Sequence, residues 1–445
     1  MPKSPAQPAK KSPLKHLRPS DLRGVAQLAT QATRGVATMA EGVHHAVLGT
    51  MGLAGGKAGQ QTSGITGYVY RTVRGVTELV GKTLHATFTK LEPLLAALVD
   101  APPDTPEREA VLAALNGVLG DQLEQNHNPL ATPMTLRYQG RVLNTNALPA
   151  MPQATGKVLL MIHGLCMNDL QWTPGEPAAD GNPVADIPAT LATALGYTPV
   201  YLRYNTGRHT SQNGRELAAM LEQLLANWPV PVKELSVVVH SMGGLVIRSA
   251  VHAAQQTPLH WPRQLKNIVF LGTPHHGAPL ERAGNWIDVI LGTTPFSKPF
   301  AKLGQLRSAG ITDLRYGFVL EGDWSGQDRF TRKPDSRQPL PLPEGVACYT
   351  VAATLAKPRS LLAERLVGDG LVPLRSALGQ HDAPEHALHF AKDRQTVVYR
   401  MNHMEMLCSP VVRDQVLAWL GTPPRYIRHS TGLHPALEKH PIAHN

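Results

Sequence analysis

The stretch that decides the fold is Lys233 to Ser249, KELSVVVHSMGGLVIRS. Its first half, Leu235 to Val239, is a run of β-formers, the pattern of a strand buried on both faces. Its second half opens a helix with small residues and an apolar stripe, and Ser241 stands at the corner between the two. A serine hydroxyl is a weak nucleophile at neutral pH. A chain that uses one must hold it on a sharp strand-to-helix turn, within reach of a histidine base. Strand and helix nearly touch at such a turn, so small residues must flank the serine, and Gly243 and Gly244 meet that need. Val239 departs from the G-x-S-x-G pattern and implies an opened elbow or local compensation.

Outward from the elbow, strand and helix patterns alternate. Upstream lie strand patterns at Met134 to Tyr138, Val142 to Asn144, Lys157 to Ile162 and Thr198 to Tyr204, with helix patterns at Val184 to Leu195 and Arg215 to Trp228. Downstream come Asn267 to Leu271, Ala347 to Ala352 and Gln395 to Tyr399, then a closing helix from Val411 to Leu420. This spacing predicts an α/β fold with a mostly parallel central sheet and helices on both faces. Residues 277–344 break the rhythm. They mix an apolar piece, Trp286 to Leu291, with a Pro-, Gly- and charge-rich run, and read as a cap-like insertion over the carboxyl ends of the strands.

A nucleophilic serine also needs a base, an orienting acid and an oxyanion site. LVGDGLVP holds Asp369 between two glycines on a loop after one strand, and RMNHMEM leaves His403 just past the last one. The chain order Ser241, Asp369, His403 is one of three common triad arrangements. Asp382 and Asp393 precede the same last strand, and chain position alone leaves them open as the acid. The backbone N–H of Met242, directly after the serine, and that of Leu165, in the loop after His163-Gly164, are the candidate oxyanion donors.

Five motifs now stand in order: IHGL at Ile162 to Leu165, HSMGG at His240 to Gly244, LGTPHHGAP at Leu271 to Pro279, GDGLVP at Gly368 to Pro373, and His403. Together they resemble the α/β-hydrolase superfamily, in its lipase and esterase branch with the GPI inositol-deacylase-like hydrolases, over about Met134 to Leu420. The resemblance implies serine-dependent cleavage of a carboxylic ester through an acyl-enzyme, with no cofactor. Acyl transfer or thioester cleavage by the same triad is the alternative, and a catalytically silent hydrolase-fold interaction protein is the third reading. Trp286, with Ile287, Val289, Ile290, Leu291 and Phe296, is expected to line an apolar acyl pocket; His163 and His275 are tentative substrate contacts. His275 and His276 point opposite ways on an extended segment and have no spaced partner, so no metal site is expected. His240 is expected to pack within the elbow rather than act as the base.

Ahead of the hydrolase-like region, 1–20 reads as a disordered basic tail and 21–128 as a helical extension. Apolar residues recur helically from Leu22 to Val47 and from Val69 to Leu91, and Thr105 with Pro106 caps a third helix to about Gln125. The helices either pack on the main domain, assigned to 129–421, or touch a membrane surface peripherally. The tail 422–445 reads as flexible. The charge of +10 comes with aromatics at only 5% and no interleaved basic stripe, which argues against nucleic acid as a partner. A small-molecule or lipid ester is the expected partner. Three cysteines without close spacing indicate neither a disulfide framework nor a zinc site. No apolar run reaches the roughly 18 to 20 residues of a membrane span and no signal-peptide pattern follows the basic start, so a cytoplasmic location is expected.

Overall fold

A computed structural model describes residues 18, 20–31, 79, 105–173, 184–278, 308–326, 335–357 and 368–422. In chain order these form helix α1 (20–31), α2 (Pro106–Gln125), strands β1 (Thr135–Tyr138), β2 (Arg141–Val142) and β3 (Lys157–Ile162), α3 (Ile187–Leu195), β4 (Thr198–Arg203), α4 (Thr210–Ala226) and β5 (Glu234–His240). Then follow α5 (Gly243–Gln256), β6 (Leu265–Leu271), α6 (Ala309–Tyr316), β7 (Ala347–Thr354), β8 (Gln395–Tyr399) and α7 (Pro410–Gly421). The strands make one eight-stranded sheet in the order β2-β1-β4-β3-β5-β6-β7-β8. β1 is antiparallel to β2 and β4, whereas β4, β3, β5, β6, β7 and β8 run parallel.

The apolar runs of the inner strands follow from this order, because a parallel strand covered by helices on both faces has no polar side. Along β3, Val158, Leu160 and Ile162 face one core with Val237 and Val239 of β5 and Ile268 and Phe270 of β6. That core is closed by Leu217, Leu221 and Leu224 of α4 and Val246, Ile247 and Ala250 of α5. The alternate residues Leu159, Met161, Val238, Val269 and Leu271 face the second core, under Ile187 and Leu191 of α3 and Val412, Val416 and Trp419 of α7. From β3 the chain moves to β4 on one side, and from β5 to β6 on the other. The strand order therefore reverses between β3 and β5, and a crevice opens there at the carboxyl ends of the strands.

The second expected N-terminal helix lies outside the described residues except for Leu79, which is helical. α2 is capped as its sequence predicts: the Thr105 side chain accepts from Arg108 N–H, and Pro106 occupies the first turn. Its Ala114, Leu115, Val118, Leu119 and Leu123 form a cluster with Leu130, so the helix buries its apolar side against the sheet-bearing region. A run of buried charges adds to that attachment. Arg108 of α2 pairs with Asp21 of α1 at 2.7 Å and with Glu109 at 2.8 Å. Glu109 also pairs with Arg203 at the end of β4, and Arg203 pairs with Asp169 in the loop after β3. Among the described residues, no helix is long and apolar enough to cross a membrane.

Candidate active site

Ser241 sits between β5 and α5 with φ +54°, a backbone conformation a non-glycine residue adopts only where its surroundings force it. Its N–H donates to Leu271 O of the neighbouring strand at 2.9 Å, and its carbonyl accepts from Gly244 N–H at 3.0 Å. The crowding that calls for small residues falls on three glycines. A Cβ on Gly164 would lie 2.9 Å from Ser241 Cβ; one on Gly243 would meet the Ile162 and His163 carbonyls at 2.8 Å; one on Gly244 would collide with the Thr273 side chain. Val239 escapes this crowding. It stays in the β5 ladder opposite Ile162 and Phe270, with its side chain in the core of α4 and α5, so the elbow keeps its strained serine without a glycine there.

The loop after β7 holds Asp369 rigidly. Its Oδ1 accepts from Leu371 N–H at 3.0 Å and Val372 N–H at 2.8 Å, and Gly370 at φ +95° makes the turn possible. Its Oδ2 meets His403 Nδ1 at 2.6 Å, and the two backbones join as well, His403 N–H donating to Asp369 O at 3.1 Å. An ionised carboxylate only accepts, so the proton sits on Nδ1 and the lone pair of Nε2 is left for another donor. Both side chains are buried. The other two acids lie elsewhere: Asp382 is exposed and paired with Arg375, and Asp393 is exposed, its carbonyl accepting from Trp419 Nε1.

Gly272, next after β6 and φ +58°, lies against this pair. A Cβ there would strike Met406 Cε and press on the pair, at 3.1 Å from His403 Cε1 and 3.2 Å from Asp369 Oδ2. Because Ser241 N–H is bonded to the residue just before Gly272, the serine, the histidine and the aspartate gather at the ends of β5, β6, β7 and β8. The two candidate oxyanion donors adjoin the elbow: Met242 follows Ser241 in the chain, and Leu165 follows Gly164, which abuts Ser241. Neither the Leu165 nor the Met242 N–H takes part in a hydrogen bond among the described residues. Both side chains are buried with Leu245 and with Ile311, Leu314, Val319 and Leu320, so the described part of the insertion closes over this flank.

Two further groups support the site: His240, packed within the elbow as its sequence position predicts, and α2, whose part in the site the sequence did not show. His240 is wholly buried; its ring lies 4.5 Å from that of His403, and its Nε2 bonds the His403 carbonyl at 3.0 Å. Burial first, and then the neighbouring His403, hold His240 well below the usual histidine range, so it stays neutral and braces the loop. The second is α2, which supports the loop after β3. Cys166 in that loop has φ +57°, donates its N–H to Thr206 Oγ1 at 3.1 Å and lies so close to Gly117 that a Cβ there would meet its Sγ. The signal was present as Gly117 and Gly120 within the buried stretch of the helix; a Cβ on Gly120 would strike the Asn205 side chain.

The tentative substrate contacts fare differently. His163 is wholly buried: its ring stacks on Tyr204 at 4.5 Å, its Nδ1 meets Gly164 O at 2.9 Å, and Tyr204 OH donates to the His163 carbonyl. Burial lowers its pKa to about 4. His275 is buried between Phe270 and Phe390. Trp286 and the rest of the expected acyl pocket lie outside the described residues. Among the described residues no group of His, Cys, Asp and Glu is arranged to hold a metal ion.

An eight-stranded, mostly parallel sheet, helices on both faces, and a strained serine on the strand-to-helix turn at the reversal of strand order define an α/β-hydrolase fold. One family model matches residues 125–313, and its description is a domain of unknown function, DUF7379. No curated protein sequence matches the chain. Among solved structures, the mature Bacillus licheniformis lipase BlEst2 is similar at 17% identity and a TM-score of 0.39, over 66% of this chain and 100% of the lipase. The Staphylococcus hyicus lipase is similar at 13% identity and a TM-score of 0.34, over 62% of this chain and 98% of the lipase. The Pyrococcus furiosus esterase Pf2001 matches at 13% identity and a TM-score of 0.33, over 60% of this chain and 80% of the esterase. The fold assignment rests on this chain's own sheet and elbow.

Proposed function

We propose that the chain is a serine carboxylic-ester hydrolase. His403 takes the Ser241 proton on Nε2 as the oxygen attacks the ester carbonyl, and Asp369 holds the ring in that tautomer and stabilises the imidazolium. The tetrahedral oxyanion is met by the Leu165 and Met242 N–H groups. The alcohol then leaves with the proton from His403, and water, activated by the same imidazole, frees the acid from the acyl-enzyme.

The observation that carries this reading is the His403 Nδ1 to Asp369 Oδ2 bond of 2.6 Å beside a serine held at φ +54°. A buried histidine with its outer nitrogen bonded to a carboxylate is the orienting half of a proton relay, and strain at a serine is sustained where surrounding structure enforces it. Esters with apolar acyl chains, as in lipids, fit the apolar composition of Trp286 to Leu291. Acyl transfer or thioester cleavage would use the same groups with another acceptor or leaving group.

The test is hydrolysis of p-nitrophenyl esters from acetate to palmitate. Ser241→Ala is expected to lower kcat roughly 10⁴-fold or more, and Asp369→Asn by a similar order. Turnover that survives in Ser241→Ala would overturn the mechanism. The chain-length profile of the wild type separates a short-ester preference from a lipase-like one.

A further inference from the structure

Away from the serine, a small cleft lies between α5, the loop after β6, residues 317–323 and the strap 337–340. Arg248, Arg337, His275, His276 and Asp323 line it. Arg248 is 6% exposed, and its guanidinium makes one bond, Nη2 to Leu340 O at 2.6 Å. Among the described residues its Nε and Nη1 are buried with no acceptor, and both ring nitrogens of His275 are in the same condition.

The carboxylates at hand are already committed. Asp323 accepts from the backbone N–H groups of Val319 and Leu320 at 2.9 Å and of Gln338 at 3.0 Å. Asp335 is held by Arg337 through Nε at 2.8 Å and Nη2 at 2.6 Å. A buried guanidinium with two idle donors is one of the costlier arrangements in a protein interior. Water could accept from its donors but could not neutralise it. A halide would meet one donor direction well, whereas a tetrahedral oxyanion offers acceptors to the Arg248 donors and to a His275 N–H together.

We propose that this cleft binds a small oxyanion of the phosphate class, free or as a phosphomonoester group, with Arg248 as its principal charge partner. Burial and then Arg337 lower the Arg248 pKa to about 10, which leaves it charged at neutral pH. The site is linked to the strand ends. The Thr273 side chain abuts Gly244 at the elbow, Gly272 abuts His403, and His275 and His276 follow directly in the same loop. An anion in the cleft would thus fix the far end of the loop whose near end meets the imidazole.

Binding can be read without any hydrolysis. The full chain is titrated with inorganic phosphate by calorimetry at constant ionic strength, and its melting midpoint is compared in phosphate and in chloride. Saturable binding and a midpoint gain over chloride are expected, unchanged in Ser241→Ala and in the half-buried control Arg413→Gln on α7, and weakened at least tenfold in Arg248→Gln. A titration with glycerol 3-phosphate distinguishes the two sources: tenfold tighter binding assigns a phosphomonoester, and equal or weaker binding assigns the free ion. No saturable heat with no midpoint gain over chloride, or an unchanged affinity in a folded Arg248→Gln protein, would overturn the site. Should Arg248→Gln fail to fold, the wild-type comparison still decides.

Discussion

At the scale of single residues, four histidines beside one loop system divide into two kinds. His403 keeps a carboxylate partner, whereas His163, His240 and His275 are buried with none and are pushed below the usual histidine range by burial. Such a residue takes a proton in the unfolded chain near pH 6.5 but resists it when folded, so the unfolded state binds more protons as pH falls. Stability is complete above pH 6.5 and is lost as pH drops toward the folded value, which for His163 is about 4. Each such group contributes about 1.4 kcal/mol per pH unit within its window. His163→Phe, which keeps a ring on Tyr204, should therefore reduce the loss of stability between pH 7.5 and pH 5 by about 2 kcal/mol. Urea unfolding at the two pH values checks this; an unchanged difference would mean that His163 titrates normally.

At the scale of elements, α2 behaves as part of the site. Gly117 leaves no room between this helix and Cys166, so Gly117→Ala should press the loop that carries Leu165 out of place and lower kcat on a soluble ester by on the order of 10²-fold. Cys166→Ala added to it removes the colliding sulfur and should restore much of that loss. A double mutant no better than the single would show that the two residues are not coupled. What the sequence revealed of the elements divides along physical lines. β3 and β8 are found at the ranges read from their composition, and α2 and α7 nearly so, because continuous apolar runs and cap residues are local signals. α4 begins at Thr210 rather than Arg215, since its polar first turn is held by distant partners: Thr210 N–H donates to Asp313 Oδ2 at 2.7 Å and Asn213 Nδ2 to Asn205 O at 2.9 Å. β2 covers only Arg141–Val142, short of the expected Asn144, and Leu143 bonds back to Leu136 instead. The order of Ser241, Asp369 and His403 was legible; choosing Asp369 over Asp382 and Asp393 needed the fold, because chain position does not say which loop meets the imidazole. Gly272 and Arg248 stayed hidden because each acts through a contact with no local signature.

At the scale of the molecule, a boundary drawn at residue 129 cuts through a packed interface. α2 contributes Ala114, Leu115, Val118, Leu119 and Leu123 to a cluster with Leu130, and Glu109 to the buried pair with Arg203. Removing one member of such a buried pair is destabilising by about 3 to 5 kcal/mol. Two truncations separate the N-terminal roles. Removal of residues 1–104, which takes Asp21 from Arg108, should lower the melting midpoint but leave hydrolysis of a soluble ester largely intact, and any loss confined to aggregated ester would assign the lost part to a lipid surface. Removal of 1–132 should abolish both activities and lower the melting midpoint sharply. Equal, mild effects of the two truncations would return α2 to the status of an accessory.

α2 is also held from far downstream: Ser308 Oγ donates to Gly117 O and Ala309 N–H to Asp121 Oδ2, contacts that span 191 and 188 residues. At a synthesis rate of roughly 5 to 20 residues per second, a nascent chain would carry this helix for about 10 to 40 seconds before the segment that covers it is made. During that interval the Gly117 carbonyl and the Asp121 carboxylate await these partners, while the leucines of the helix already have Leu130 to pack on. The attachment of this helix is thus completed late in the order of translation, when the segment at Ser308 and Ala309 emerges.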